Sequence, residues 1–330
     1  MPDSWTHILG ANEIIEDIKK EKYKSILMNN IKYFQFGSQG PDIFLYYCPL
    51  IPSKHNRVKK LGQQLHTDKT GDFIIYIIDK LKEWNYDDEY NILFSYVLGF
   101  ITHYALDTSM HPFIYYFGGI YDPDYKKTKK YEEYHRQLEK IIGFIELEKK
   151  KGPSAYKIPL YEQINLGECV PSIIKRLYFN ALNNVYNLEI KNYLINYCYK
   201  DMKNSLKFFT EPNGITEKIF SVIEWIIKKS IDAKIYIYPR KIKNDLDYLN
   251  NYGKKWSHPC DYKEVTNKTG EELYNEGVKK GKDMINAIIE YVEGNMTKEE
   301  LKEFFPNISY ESGKLLAEHK KMIYFNCIFE

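Results

Sequence analysis

Three ionisable residues in the least charged stretch of the chain set the tightest limit on its fold: His103-x-x-x-Asp107-x-x-x-His111, within residues 90–125. Positions four apart on an α-helix share a face, and the row drifts by about 40° per step. Around it stand Val97, Leu98, Phe100, Ile101, Tyr104, Ala105 and Leu106, so the helix is apolar on every side and belongs in a core. Buried ionisable groups need partners. A metal ion supplies them to all three at once. The competing arrangement is a buried His–Asp hydrogen bond with His111 exposed at the helix end, but two histidines flanking one aspartate at equal spacing favour the metal. A transmembrane helix is disfavoured by the same three residues and by the glycines and Pro112 that interrupt the run. Because Pro112 disfavours α conformation at His111, the spacing predicts a helix from about Tyr90 to His111.

Helical periodicity recurs along the rest of the chain, and the expected fold class is all-α. Apolar positions at helical spacing cover residues 6–34, and further helices are expected over 70–81, 129–150, two or three within 170–230, 271–293 and 297–304. Gly37-Ser38-Gln39-Gly40-Pro41-Asp42 reads as a loop, followed by an apolar run from Ile43 to Tyr47. Pro49, Pro52 and the basic stretch Lys54–Lys60 read as a surface connection. Residues 235–239 suit a short strand or an extended loop. Gly152-Pro153-Ser154 marks a soft break, dividing a metal-binding region, 1–150, from a mostly helical C-terminal part of unassigned role, 151–330.

Other potential donors precede and follow the central row. His135-x-x-x-Glu139 places an imidazole and a carboxylate on one helical face, a spacing that suits one zinc ion but is also routine for solvated i,i+4 pairs. The glycines and proline before Asp42 aim it at a fixed point, although an aspartate there also suits a cap or turn. His7 and His66 are lone histidines whose meaning depends on their company. His258, beside Trp256 and Pro259, reads as a loop anchor, and His55 and His319 as solvent-exposed residues among lysines.

The charge balance, 47 basic against 45 acidic residues, is interspersed. With no basic stripe, composition argues against a nucleic-acid partner held through phosphates. Cys48, Cys169, Cys198, Cys260 and Cys327 form no close pair, which fits buried thiols in a reducing compartment and argues against cysteine-bound zinc. The opening residues lack a basic start, an apolar stretch and a small-residue cleavage site, so a cytoplasmic protein without a signal peptide is expected.

In chain order, His7, Asp42, His66, His103 with Asp107, His111, and His135 with Glu139 resemble the bacterial zinc-dependent phospholipase C family. The resemblance rests on Thr6-His7-Ile8-Leu9, Gly40-Pro41-Asp42, His66, His103-Tyr104-Ala105-Leu106-Asp107 and His135-Arg136-Gln137-Leu138-Glu139, and covers about residues 1–150. It implies a multi-helix bundle resembling phospholipase C and the related single-strand zinc nucleases, with a C-terminal helical extension. It also implies two to three zinc ions. One would be held by Asp42, His66, His103 and Asp107, a second by His111, His135 and Glu139, and a third by His7 with Asp107 bridging. Asp42 is then also the implied general base.

Two departures from the family's pattern bear on this assignment. In secreted members the mature chain begins with a tryptophan whose amine and carbonyl bind the third zinc, whereas Trp5 is internal here. His111 also follows Asp107 more closely than in those enzymes. The implied activity is phosphoester hydrolysis on a phospholipid or a small molecule. The alternatives are a phosphodiesterase or nuclease with a non-lipid substrate and, in another class, a non-catalytic metal-stabilised helical interaction protein. Phe44, Tyr46, Tyr47, Phe113, Tyr115 and Tyr116 are candidates for an apolar entrance, with core packing expected for most of them.

Overall fold

The longest helix, Asp88–Gly118, is buried along nearly its whole length and forms the axis on which the other elements pack. The computed structural model describes residues 3–48, 51–83, 87–191, 193–210, 218–219, 221–222, 237–238, 242 and 246–330. In chain order the described helices are α1 (Ser4–Glu16), α2 (Glu21–Asn29), α3 (Ile31–Gly37), α4 (Pro52–Thr67), α5 (Thr70–Lys82), α6 (Asp88–Gly118), α7 (Lys129–Lys151), α8 (Leu160–Gln163), α9 (Ser172–Tyr186), α10 (Tyr193–Phe209), α11 (Gly270–Val292) and α12 (Lys298–Phe304). A 3₁₀ segment, Gly40–Tyr46, carries the chain from α3 towards α4. Helices dominate, as the periodicity requires, and among the described residues the fold is all-α apart from one small hairpin.

Local sequence starts these helices where capping chemistry permits. Asp87 accepts a hydrogen bond from the Tyr90 amide at 2.7 Å, and Asp88 and Glu89 lie in the positively polarised first turn of α6. Thr269 with Glu272, and Thr297 with Glu300, form reciprocal capping boxes at the starts of α11 and α12. Packing then orders the pieces. α3 and α11 lie against α6 over long stretches, with α1 and α7 beside them. The α3–α6 crossing is tight because glycines meet there: a Cβ on Gly99 would fall 2.1 Å from the Phe34 carbonyl oxygen and 3.0 Å from the Gly37 Cα.

Three expectations need correction. First, α6 does not stop at His111 but continues through Pro112 to Gly118. Tertiary partners support the extra turns: Asn326 and Ile328 donate their amides to the carbonyls of Tyr116 and Phe117, each at 2.9 Å. Second, Pro52 and Lys54–Lys60, read with Pro49 as a surface connection, lie in α4, while Pro49 is outside the described residues. A proline is tolerated in a helix's first turn, Val58 and Leu65 enter the core, and the lysines and arginine of α4 lie towards solvent on the other face. Third, His55 is half-buried, with Nδ1 2.8 Å from the Tyr47 carbonyl oxygen, rather than solvent-exposed.

The extended element is β1 (Trp256–His258) paired antiparallel with β2 (Asp261–Thr266); most of residues 235–239 lie outside the described residues. His258 anchors this hairpin, with Nε2 3.0 Å from the Ser312 carbonyl oxygen and Nδ1 accepting the Cys260 amide at 3.0 Å. His319 is exposed. All five cysteines are unpaired; Cys198 and Cys327 are buried, but Cys169 is exposed, so only part of the set behaves as core thiols. No described helix is long and apolar enough to cross a membrane.

Candidate metal centre

α6 presents His103, Asp107 and His111 on successive turns, all three fully buried. α1 brings His7 to the same place, the 3₁₀ segment brings Asp42, α4 brings His66, and α7 brings His135 and Glu139. All eight residues anticipated as donors are therefore buried around one length of α6. They fall into three groups whose ligand atoms lie within 4.8 Å of one another: His7, His103 and Asp107; Asp42, His66 and His103; and His111, His135 and Glu139.

His103 and Asp107 join the first two groups. His103 Nε2 lies 3.1 Å from Asp107 Oδ2 and 3.6 Å from Asp42 Oδ1. His66 Nε2 is 3.1 Å from Asp42 Oδ1 and 3.7 Å from Asp107 Oδ2, while His7 Nε2 is 3.3 Å from Asp107 Oδ1. The His7 ring stacks on that of His103 with centroids 4.1 Å apart. At the other end, Glu139 Oε1 lies 2.7 Å from His135 Nε2 and 3.6 Å from His111 Nε2. His111 Nδ1 is 3.8 Å from Asp107 Oδ2, so the Asp107 carboxylate sits between the two ends of the centre.

Main-chain carbonyls decide which imidazole nitrogen faces inward. His66 Nδ1 is 2.7 Å from the Gly62 oxygen, His103 Nδ1 3.1 Å from the Ser38 oxygen, and His111 Nδ1 2.9 Å from the Tyr310 oxygen. A carbonyl only accepts, so each Nδ1 carries the proton and each Nε2 keeps its lone pair for a ligand. Orientation of a liganding imidazole through its other nitrogen is a usual feature of metal sites.

The donor set also fits a cation by what it lacks without one. His7, His103 Nε2, His111 Nε2 and both Asp107 oxygens are buried without an aligned hydrogen bond, despite the short separations among them. Leaving so many polar atoms unsatisfied in a core is costly. An imidazole and carboxylate set is the ordinary coordination chemistry of zinc.

The electrostatics agree with a site shaped for positive charge. Burial pushes the Asp42 carboxyl up to about 8, with Asp107 adding to the rise against the opposing effect of His103. Burial pushes His7 down to about 3, and His103 lowers it further; burial also lowers His66 and His135. For Asp107, burial acts upward but is outweighed by His103 and His111, which hold the carboxyl well below its usual range. Glu139 is likewise held low against its burial, with His135 and His111 contributing.

Residue types alone did not point to the groups that orient the donors. The Ser38, Gly62 and Tyr310 contacts are made by main-chain oxygens, which carry no sequence signal. Tyr310, near the end of the chain, is fully buried with its ring centroid 5.2 Å from that of His66 and 6.0 Å from that of His103. Of the aromatic residues considered for an entrance, Phe44 and Phe113 are core residues. Tyr115 is half-buried against His135, centroids 4.4 Å apart. Trp5 lies inside α1 with its side chain buried and its amide donating to Asp3 Oδ2 at 3.1 Å, so it offers no free amine.

A comparison with family models matches residues 6–208 to zinc-dependent phospholipase C. This chain belongs to the zinc-dependent phospholipase C family. Searches of curated proteins and of solved structures give no match. The family is one of zinc-dependent hydrolases, and the His/Asp/Glu clusters are compatible with zinc. The phospholipase C match begins in α1 and ends in α10, spanning all eight donors. α11, α12 and the segment carrying Tyr310 lie beyond it.

Proposed function

We propose that this chain hydrolyses the phosphodiester bond of a phospholipid, using two to three zinc ions held by His7, Asp42, His66, His103, Asp107, His111, His135 and Glu139. The observation that carries this reading is the convergence of three donor groups on one buried site, with the Asp107 carboxylate between its two ends. Zinc, when bound, supplies Lewis acidity towards phosphate oxygens and a water nucleophile at neutral pH.

The chain's own residues account for the remainder. Asp107 and Glu139 carry the negative charge that holds the cations, and the three carbonyl-bound imidazoles keep Nε2 turned inward. Asp42 is assigned as general base. One of its oxygens faces His66 and His103, and a carboxylate has a second oxygen to take the proton from the attacking water. Attack at phosphorus opposite the leaving alkoxide would release diacylglycerol and a phosphorylated head group. Balanced, interspersed charge disfavours a nucleic-acid substrate.

The test begins with zinc per chain by elemental analysis of untagged protein, followed by hydrolysis of a chromogenic phosphodiester, phospholipid vesicles and single-stranded DNA. Two to three equivalents of zinc and chelator-sensitive release of diacylglycerol are expected. Cleavage of DNA alone would transfer the reading to a nuclease, and bound zinc without turnover on any substrate would favour the non-catalytic interaction protein. Asp42→Asn is expected to lower kcat by about 10²–10⁴ in metal-reloaded protein. Full turnover in that variant would remove Asp42 from the role of base.

A further inference from the structure

We propose that the C-terminal segment 308–313, outside the family-matched region, is a strap that holds imidazoles from both ends of the metal centre in their liganding orientation. The proposal rests on the zinc reading above and assigns positioning residues that the eight donors do not include.

The strap makes a contact at each end of the centre. The Tyr310 amide donates to the His66 main-chain oxygen at 2.9 Å, tying the strap to the end of α4. The Tyr310 carbonyl accepts from His111 Nδ1 at 2.9 Å, directing Nε2 of that ring towards Glu139. One residue's peptide groups thus reach His66 of α4 and His111 of α6, which belong to different donor groups. Between these contacts the Tyr310 ring fills the space against His66, His103 and Tyr104, with centroid separations of 5.2, 6.0 and 5.0 Å. The next residue extends the strap to α7's neighbourhood, since the Glu311 side chain lies near the Tyr115 hydroxyl and the Tyr115 ring lies against His135.

The strap's own fold keeps it seated. Gly313 donates its amide to the Ser309 oxygen at 2.8 Å, and Ser309 donates to the Lys314 oxygen at 2.9 Å, closing a tight turn. Gly313 adopts φ +65°, and a Cβ there would lie 2.6 Å from the Thr108 carbonyl oxygen of α6. That oxygen is the one left without a helical donor by Pro112. The irregularity in α6 and the glycine in the strap therefore occupy the same place. Thr70 Oγ1 donates to the Ile308 oxygen at 2.7 Å and fixes the strap's entry. The Tyr310 hydroxyl is buried without a hydrogen bond, so the residue acts through its ring and main chain.

Zinc affinity by competition with a chromogenic chelator, together with the melting temperature with and without zinc, tests the strap in the full chain. Tyr310→Ala is expected to weaken zinc binding by about 10–100-fold, the scale of orienting contacts around a metal. The gain in melting temperature on adding zinc should shrink with it. Tyr310→Phe should retain wild-type affinity, because only the unbonded hydroxyl is lost. Gly313→Ala, which touches no donor, should weaken zinc in the same direction and gives a second route if Tyr310→Ala does not fold. Wild-type zinc affinity in Tyr310→Ala or Gly313→Ala, in protein whose wild type binds zinc, would overturn the strap alone. A purely structural role would lower both melting temperatures equally and leave the affinity unchanged. Absence of zinc binding by the wild type would overturn the metal reading and the strap with it.

Discussion

At Gly40 two demands fall on one backbone position. Its φ is +50°, and a Cβ would approach the His103 ring to 2.4 Å. Gly40→Ala should therefore destabilise the chain by about 2–5 kcal/mol, combining ~1–2 for a left-handed L-residue with ~1–3 for overpacking. Denaturant melts would measure that loss, and zinc titration should show weaker binding because His103 is displaced. Unchanged stability would show that the loop relaxes without disturbing the ring. The sequence of this loop, with its two glycines and a proline before Asp42, was legible as a constrained turn and left open whether Asp42 is aimed at a fixed point or caps the turn. The surface against which Gly40 is pressed was not legible, since His103 lies far along the chain. The same separation explains Tyr310: no spacing rule connects a tyrosine near the C-terminus to a histidine on α6.

At the scale of elements, the long periodic helices were readable because burial on one face repeats with the helical turn, as in α5, α7 and α11. One boundary and one whole helix were misread for identifiable reasons. Pro112 carries a real local cost, but amides from the C-terminal segment accept the burden of the following carbonyls and the helix runs on. The α4 stretch is so rich in lysine that its few core positions, Val58 and Leu65, were outweighed in a reading by composition. The α3–α6 crossing is a further property of elements. Because the Cβ of an alanine at position 99 would meet main-chain atoms of α3, Gly99→Ala should cost about 1–3 kcal/mol or more, read as a lower urea midpoint with an unchanged slope. It should also weaken zinc, since α3 leads directly into the Ser38 oxygen that orients His103. A variant with a wild-type midpoint would mean that the two helices separate freely.

For the whole molecule, metal binding and folding are linked through protons. Asp42 has a folded-state pKa of about 8 in the metal-free chain, well above the usual carboxylate, because burial disfavours its charge. A raised carboxylate pKa contributes stability below its unfolded value, and that contribution is lost as pH rises through the folded value. His7, lowered to about 3 by burial, works in the opposite sense: its contribution is present above the unfolded pKa near 6.5 and lost as pH falls towards 3. Below about pH 6.5 the two oppose each other; between about 6.5 and 8 only Asp42 of this pair acts. Lys140 and Lys280, lowered by burial to about 7 and about 8, work in the opposite sense as pH rises. Chelator-treated wild type should therefore lose stability relative to Asp42→Asn across that interval, a comparison that cancels the lysines. Zinc uptake at pH 7 should release a proton, seen as a dependence of calorimetric heat on buffer ionisation enthalpy. A metal-free stability profile from about pH 6.5 to 8 that runs parallel to that of Asp42→Asn, with no proton release, would show that Asp42 is already ionised.

The sequence by itself determined the helical class, through repeating apolar faces, and the order of the buried histidines and carboxylates that are the candidate donors, through residue types that a core accepts only in company. It also carried the family resemblance, because the motifs that express it are short and local. Tertiary structure alone decided that donors from α1, the 3₁₀ segment, α4, α6 and α7 share one place. It likewise decided which nitrogen of each orienting imidazole faces inward, and that a segment beyond residue 300 reaches the centre. The physical reason is that these are decided by main-chain oxygens and close helix crossings. Such groups are common to every residue, and what they touch depends on contacts between parts of the chain far apart in sequence.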